Sequence, residues 1–299
     1  MPEFWKYHAL GNDYLVIDSR QVAWEPAGDV VRRLCDRHLG VGADGVLFGP
    51  VGPARPGAET GLRIFNSDGS ACERSANGIR MFALHLARHH LPGERAFVIR
   101  TDAGVTRADI PDFAAGVVRV AMDPASFRAA DLPVTGLTGA AVNWPLDVDG
   151  ETLTVTSLHN GNPHTVLFLE ADEPGLAHRL GPRIAGHPRF PARTNVEFVR
   201  VADRATLDVE IWERGAGYTL ASGSGSWAAA SAARVLGLVD EHVTCRMPGG
   251  SLDLAFNPDS SGTMTGVIEE VASGAFSAEL RARLRLDEPV ALTRIGVQA

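Results

Sequence analysis

The chain has only three cysteines, Cys35, Cys72 and Cys245, widely separated in 299 residues. An odd number leaves one thiol unpaired in any disulfide scheme, so a disulfide-stapled secreted scaffold is excluded and a reducing compartment is expected. None of the three forms a Cys-x-x-Cys clip, the ten histidines are scattered apart from adjacent His89 and His90, and no metal site is expected. No run of about 18 apolar residues occurs, and no basic leader precedes an apolar stretch, so a cytoplasmic protein without a membrane partner is expected. Positive charge is in deficit: 28 Lys and Arg stand against 36 Asp and Glu. Such a surface has no basic field to neutralise a phosphate backbone, and a nucleic-acid partner is not expected.

What is present is an ordinary globular composition, 45% hydrophobic and 21% charged, with 32 Gly and 18 Pro. The length suits two domains, each with its own core. Short β-branched or aromatic runs bounded by Gly, Asp or Pro read as strands, among them 15–18, 46–48, 62–65, 97–100 and 117–120. The same texture returns at 153–155, 165–169, 196–199 and 207–212. Two stretches read as long helices, Ser75 to His90 and Gly223 to Leu236.

Those helices open alike, with Ser75-Ala76-Asn77-Gly78 and Ser222-Gly223-Ser224-Gly225, 147 positions apart. A second pair lies at a similar offset: His8-Ala9-Leu10-Gly11-Asn12-Asp13 and His159-Asn160-Gly161-Asn162-Pro163-His164. So long a period indicates a duplicated domain rather than a solenoid. The boundary is expected near Asp123-Pro124. Helix N-termini offer unpaired N–H groups and the positive end of the dipole, so two aimed at one cavity would hold a carboxylate. Residues at the two helix starts would then flank the neighbouring carbon from opposite sides, one removing a proton and the other returning one.

At this point the chain resembles the diaminopimelate epimerase family, through eight motifs in order. They are His8-Ala9-Leu10-Gly11-Asn12-Asp13-Tyr14, residues 37–45 (RHLGVGADG), residues 63–70 (RIFNSDGS), Asn77-Gly78-Ile79-Arg80, Gly161-Asn162-Pro163-His164, residues 193–198 (RTNVEF), residues 212–217 (WERGAG) and residues 219–225 (TLASGSG). The resemblance implies an α/β (α+β) fold of two pseudo-symmetric domains, each a sheet wrapped around a central helix. Residues 1–122 would form the first, joined by a returning segment of about 276–299, and residues 123–275 the second. It implies a cofactor-independent epimerase converting LL- to meso-diaminopimelate, with a small amino acid as partner and a homodimer as the assembly.

By the same resemblance Asn12, Asn66, Asn162, Asn195, Glu213 and Arg214 line the substrate cleft. The N–H groups of Ala76, Asn77, Gly223 and Ser224 hold the reacting carboxylate, next to Gly78. Arg214 offers a bidentate fork for a carboxylate and Glu213 an acceptor for an ammonium group. The family carries a cysteine at each helix start, whereas this chain has Ser75 and Ser222 there. Ala76 stands in place of a glycine and Tyr218 in place of a glutamate.

An alcohol is a far weaker acid than a thiol and needs a neighbouring base, for which His164 or His8 is a candidate. Cys72, three residues ahead of Ser75, reads as structural rather than as a substitute, and Cys35 and Cys245 read as packing residues. Serine is also a preferred N-cap. Three readings follow: a two-base epimerase using both serines, an isomerase or dehydratase of another small carboxylate, and a non-catalytic amino-acid binder.

Overall fold

The computed structural model describes residues 2–52, 54–171 and 173–287. The first half runs β1 (Phe4–Ala9), β2 (Asn12–Asp18), α1 (Gly28–Cys35), β3 (Gly45–Val51), β4 (Glu59–Asn66), β5 (Ala71–Cys72), α2 (Ala76–His89), β6 (Ala96–Thr101), β7 (Gly104–Asp112) and β8 (Val117–Met122). The second continues with β9 (Trp144–Val148), β10 (Glu151–His159), β11 (Pro163–Leu169), α3 (Leu176–Ala185), β12 (Asn195–Asp203), β13 (Thr206–Glu213) and β14 (Gly217–Thr219). After these come α4 (Gly223–Val235), β15 (His242–Met247), β16 (Gly250–Phe256), β17 (Gly262–Val267), β18 (Glu269–Gly274) and α5 (Ala278–Leu284).

Strand pairing is repeated. In the first half β2 runs parallel to β3, β3 antiparallel to β4, β4 parallel to β6, and β6, β7 and β8 follow as a meander. In the second, β11, β12, β13, β15, β16 and β17 repeat that series with the same directions. The two series join edge to edge where β8 pairs antiparallel with β17. This is the expected mixed α/β architecture, with one long helix enclosed by sheet in each half.

The enclosed helices are buried on almost every side. In α2 every residue from Asn77 to Ala87 is buried, and α4 buries ten residues, among them Ala228, Ala229, Ala230, Ala232 and Ala233. The alanine run keeps α4 thin enough for the strands to close over it. Both helices start poorly by propensity, with Gly, Ser and Asn in their first turns, so burial and the serine caps must sustain them. One core cluster contains both, running from Ile79, Phe82 and Leu86 through Met264 to Trp227 and Ala230. At ~1.5–3 kcal/mol for each large side chain buried, this shared core joins the two halves.

The chain's end returns to its beginning. Strand β18 pairs with β1, the Phe276 amide donates to Glu3 Oε2 at 2.8 Å, and Phe276 stacks on Phe4 at 5.2 Å. Of the expected returning segment 276–299, residues 288–299 lie outside the described residues.

Candidate functional site

The two long helices meet at their starts. Ser75 caps α2 with its Oγ accepting the Gly78 amide at 3.0 Å, and Ser222 caps α4 with its Oγ accepting from Gly225 at 3.3 Å. Their backbones are nearly superimposable, φ −138° and ψ 115° against φ −142° and ψ 127°. A Cβ placed on Gly223 would lie 3.2 Å from Asn77 Oδ1 and 3.4 Å from the Ala76 Cβ. The two tips therefore touch, and their free N–H groups and positive dipole ends share one place.

The strands bring different partners to the two serines. The Glu213 carboxyl stands beside Ser222 at the end of β13, and burial raises its pKa above the ordinary value, against the lowering effect of the serine hydroxyl. Ser75 instead has the Tyr14 hydroxyl beside it, and burial raises the phenol's pKa as well. Tyr14 lies opposite Gly45 in the parallel β2–β3 pair, and a Cβ on that glycine would sit 2.5 Å from the ring.

A network supports the first tip. Asn77 Nδ2 donates to Asn12 Oδ1 at 3.1 Å, and Asn12 Nδ2 donates to Asp44 Oδ2 at 3.0 Å. Arg37 bridges Asp44 and Asp13, at 2.8 and 2.7 Å. Burial would raise Asp13, but hydrogen bonds from Arg37 and Lys6 outweigh it and hold the carboxyl below its ordinary value. Under the second tip His164 Nδ1 lies 2.6 Å from Glu197 Oε1 with both side chains buried, and His164 Nε2 donates to Asn162 Oδ1 at 2.7 Å. The Glu197 pKa is raised by burial, against the pull of His164.

Asn195 links the remaining pieces, donating to the Pro163 carbonyl at 3.0 Å and accepting the Arg214 amide at 2.8 Å. Asn162 and Arg214 border a cavity of ≈ 620 Å³ whose wall also carries Glu73, Asp131 and His159. The Arg214 guanidinium donates to the Ala192 carbonyl at 3.2 Å. Ser224 lends its carbonyl to Asn160 at 2.9 Å, and Asn66 bonds the Ser70 hydroxyl at 2.9 Å.

Three expectations are corrected. His164 does not serve either serine as a base, because both its ring nitrogens are engaged by Glu197 and Asn162. His8 does not either: its Nδ1 accepts the Gly11 amide at 3.4 Å and its Nε2 faces Glu269 at 3.6 Å. Cys72 is only half-buried rather than buried, and its thiol bonds the Arg74 carbonyl at 3.2 Å. Sequence reading passed over Tyr14, Asp44, Glu197 and Arg80 as individual site residues. A signal for Tyr14 was available, since the spacing that pairs Asn12 with Asn162 also pairs Tyr14 with His164.

Among the described residues no group of three or more His, Cys, Asp or Glu side chains is placed to hold a metal ion. No helix there is long and apolar enough to cross a membrane.

Known proteins resemble this chain over most of its length. The diaminopimelate epimerase family pattern matches residues 4–128 and 156–271. A diaminopimelate epimerase of Nostoc sp. is 41% identical over 278 residues, covering 93% of this chain and 96% of that one. That of Azotobacter vinelandii is 39% identical, covering 91% and 97%, and the chloroplastic enzyme of Oryza sativa subsp. japonica 40% identical, covering 91% and 79%. Among solved structures, a probable proline racemase from Agrobacterium radiobacter superposes with a TM-score of 0.65 at 15% identity, covering 93% of each chain. A hydroxyproline epimerase from Agrobacterium vitis gives 0.62 at 16%, covering 90% of each, which shows a common fold.

Proposed function

The chain belongs to the diaminopimelate epimerase family, and from that premise we propose that it is an amino-acid epimerase that interconverts LL- and meso-diaminopimelate in the cytoplasm without pyridoxal phosphate. The observation that carries the reading is the contact between two serine-capped helix starts, one with a carboxyl and the other with a phenol beside its serine.

The substrate's reacting carboxylate sits on the N–H groups of Ala76, Asn77, Gly223 and Ser224, where the dipole ends stabilise the charge that spreads onto it as the α-C–H bond breaks. The α-proton passes to Ser222 Oγ while the Ser222 hydroxyl proton passes to the ionised Glu213. On the opposite face the Ser75 hydroxyl gives its proton to the α-carbon and takes the Tyr14 hydroxyl proton in turn, so the configuration inverts. The phenolate and the protonated Glu213 return to their starting states by exchange with solvent when the product leaves. Each serine cap accepts an N–H and leaves its own hydroxyl proton free for this exchange. Arg214 and the asparagines around the adjoining cavity hold the distal amino and carboxyl groups. The cleft closes about the junction at Asp123–Pro124, between residues 1–122 and 123–275, and closure excludes water from the carbanion.

One observation favours a second reading, a non-catalytic amino-acid binder. Both serine oxygens already act as caps, a role that needs no chemistry. In deuterium oxide, the purified protein is expected to place deuterium on the α-carbon of diaminopimelate with no added cofactor. No exchange above buffer, with the Ser75→Cys and Ser222→Cys double variant gaining it, would leave the binder.

A further inference from the structure

Arg80 is completely buried in α2, yet no carboxylate pairs with it among the described residues. Its Nε and Nη1 have no hydrogen-bond partner. Burial pushes its pKa down to about 10, so it remains a cation at neutral pH. An unpaired buried charge of this kind is expensive to keep. Packing does not require it. The equivalent position of α4, five residues after its capping serine as Arg80 is after Ser75, holds Trp227. That residue is equally buried, stacks on Phe256 at 4.4 Å and satisfies its Nε1 on the Asp123 carbonyl at 3.1 Å. The fold thus accepts a neutral side chain at this depth. The strand opposite has even been cleared for Arg80, because a Cβ on Gly266 would lie 2.4 Å from its Nη1.

Among the described residues the one side-chain bond of Arg80 points to the site: Nη2 donates to Asn77 Oδ1 at 2.6 Å. That bond fixes which end of the Asn77 amide is oxygen, and so turns its NH₂ toward Asn12 at 3.1 Å. The same Oδ1 lies 3.2 Å from where a Cβ on Gly223 would be, at the start of α4. A positive charge therefore stands one amide behind the place where both helix tips meet. We propose that Arg80 is a positioning residue of the carboxylate subsite, orienting Asn77 and supplying a buried cation whose counter-charge is the substrate's own α-carboxylate. This rests on the carboxylate-binding reading above, and predicts opposite effects on the empty and the liganded protein.

The test measures urea unfolding of the unliganded protein and calorimetric titration with meso-diaminopimelate, and in parallel trans-4-hydroxy-L-proline, for wild type, Arg80→Met and Arg80→Lys. Arg80→Met is expected to unfold at the same or higher urea than wild type, since an unpaired buried charge is gone, while its dissociation constant rises roughly tenfold or more. Arg80→Lys should recover much of the affinity through its charge. Loss of stability with unchanged affinity would overturn the proposal and make Arg80 structural. Wild type binding hydroxyproline alone would remove the diaminopimelate assignment, and Arg80 is then judged on that ligand by the same criterion. Wild type binding neither overturns both. Should Arg80→Met not fold, Asn77→Asp provides an internal counter-charge and must weaken ligand binding without loss of stability, or the proposal fails.

Discussion

Tyr14 and His164 stand at equivalent points of the two halves, Tyr14 beside Gly45 across β2 and β3 and His164 beside Asn195 across β11 and β12. Asn66 and Glu213 are a second such pair, each at the end of the strand that follows. The duplication therefore preserves the backbone and changes the chemistry. Beside Ser75 it places the Tyr14 phenol and beside Ser222 the Glu213 carboxyl. Of the two, the carboxyl is the far stronger acid.

Tyr14→Phe keeps the ring in the space left by Gly45 and removes only the hydroxyl that reaches Ser75. Unfolding free energy should change by less than about 1.5 kcal/mol, the scale of one hydrogen bond. Epimerisation should fall roughly tenfold or more, because Ser75 loses the group that resupplies its proton. Deuterium exchange started from each stereoisomer separates the two faces. An equal loss from both would remove Tyr14 from the Ser75 side.

Glu213 must be ionised to take the Ser222 proton, and burial raises its pKa. Activity is therefore expected to climb as pH rises through a value above the ordinary carboxylate range, and Glu213→Gln should abolish that limb. Stability runs the other way. A raised folded pKa means that the native state binds the proton more tightly, so the contribution is full below the ordinary carboxylate pKa and lost as pH rises through the raised one. Urea unfolding of wild type against Glu213→Gln across that window reads the difference.

Alkylation distinguishes serine chemistry from a displaced thiol. Burial raises all three cysteines, Cys35 to about 12, and the lowering effect of the Arg74 backbone on Cys72 does not reverse that shift. With so little thiolate, native activity should survive iodoacetamide at neutral pH, whereas a Ser222→Cys variant should become sensitive. Inactivation of the native chain through Cys72 would return that residue to the mechanism.

Much of this was readable beforehand for a physical reason. Serine caps, glycines that let a helix start lie on a strand, and a repeated hairpin are local features, so the two helices and the duplicated pattern could be located from residues alone. The partner of each serine could not. Tyr14 precedes Ser75 by four intervening elements if α1 is included, and only the parallel pairing of β2 with β3 carries its ring there. His164 was a candidate base alongside His8 because imidazole is the usual proton acceptor near neutral pH. Nothing in its neighbours predicts that Glu197, distant in sequence, fills one ring nitrogen and Asn162 the other. Arg80 stood in the sequence only as the last residue of a helix motif, and its burial follows from the sheet closing over every side of α2.

The pair of Glu197 and His164 gives the last test. Both side chains are buried at 2.6 Å, and a Cβ on Gly225 would lie 3.1 Å from Glu197 Oε1, so the carboxyl sits directly under the start of α4. Glu197 Oε2 has no hydrogen-bond partner among the described residues, which leaves the His164 contact as the main compensation for burial. Glu197→Ala removes that contact and opens a cavity beneath the helix start, and is expected to lower unfolding free energy by ~3–5 kcal/mol. Glu197→Gln keeps the volume and one acceptor for the imidazole, and should cost far less. If the pair served only packing, the Gln variant would also keep wild-type kcat/KM. If His164 instead holds Asn162 in place for the ligand, loosening the imidazole raises KM before it lowers stability, and urea unfolding with steady-state kinetics on the one variant tells the two apart.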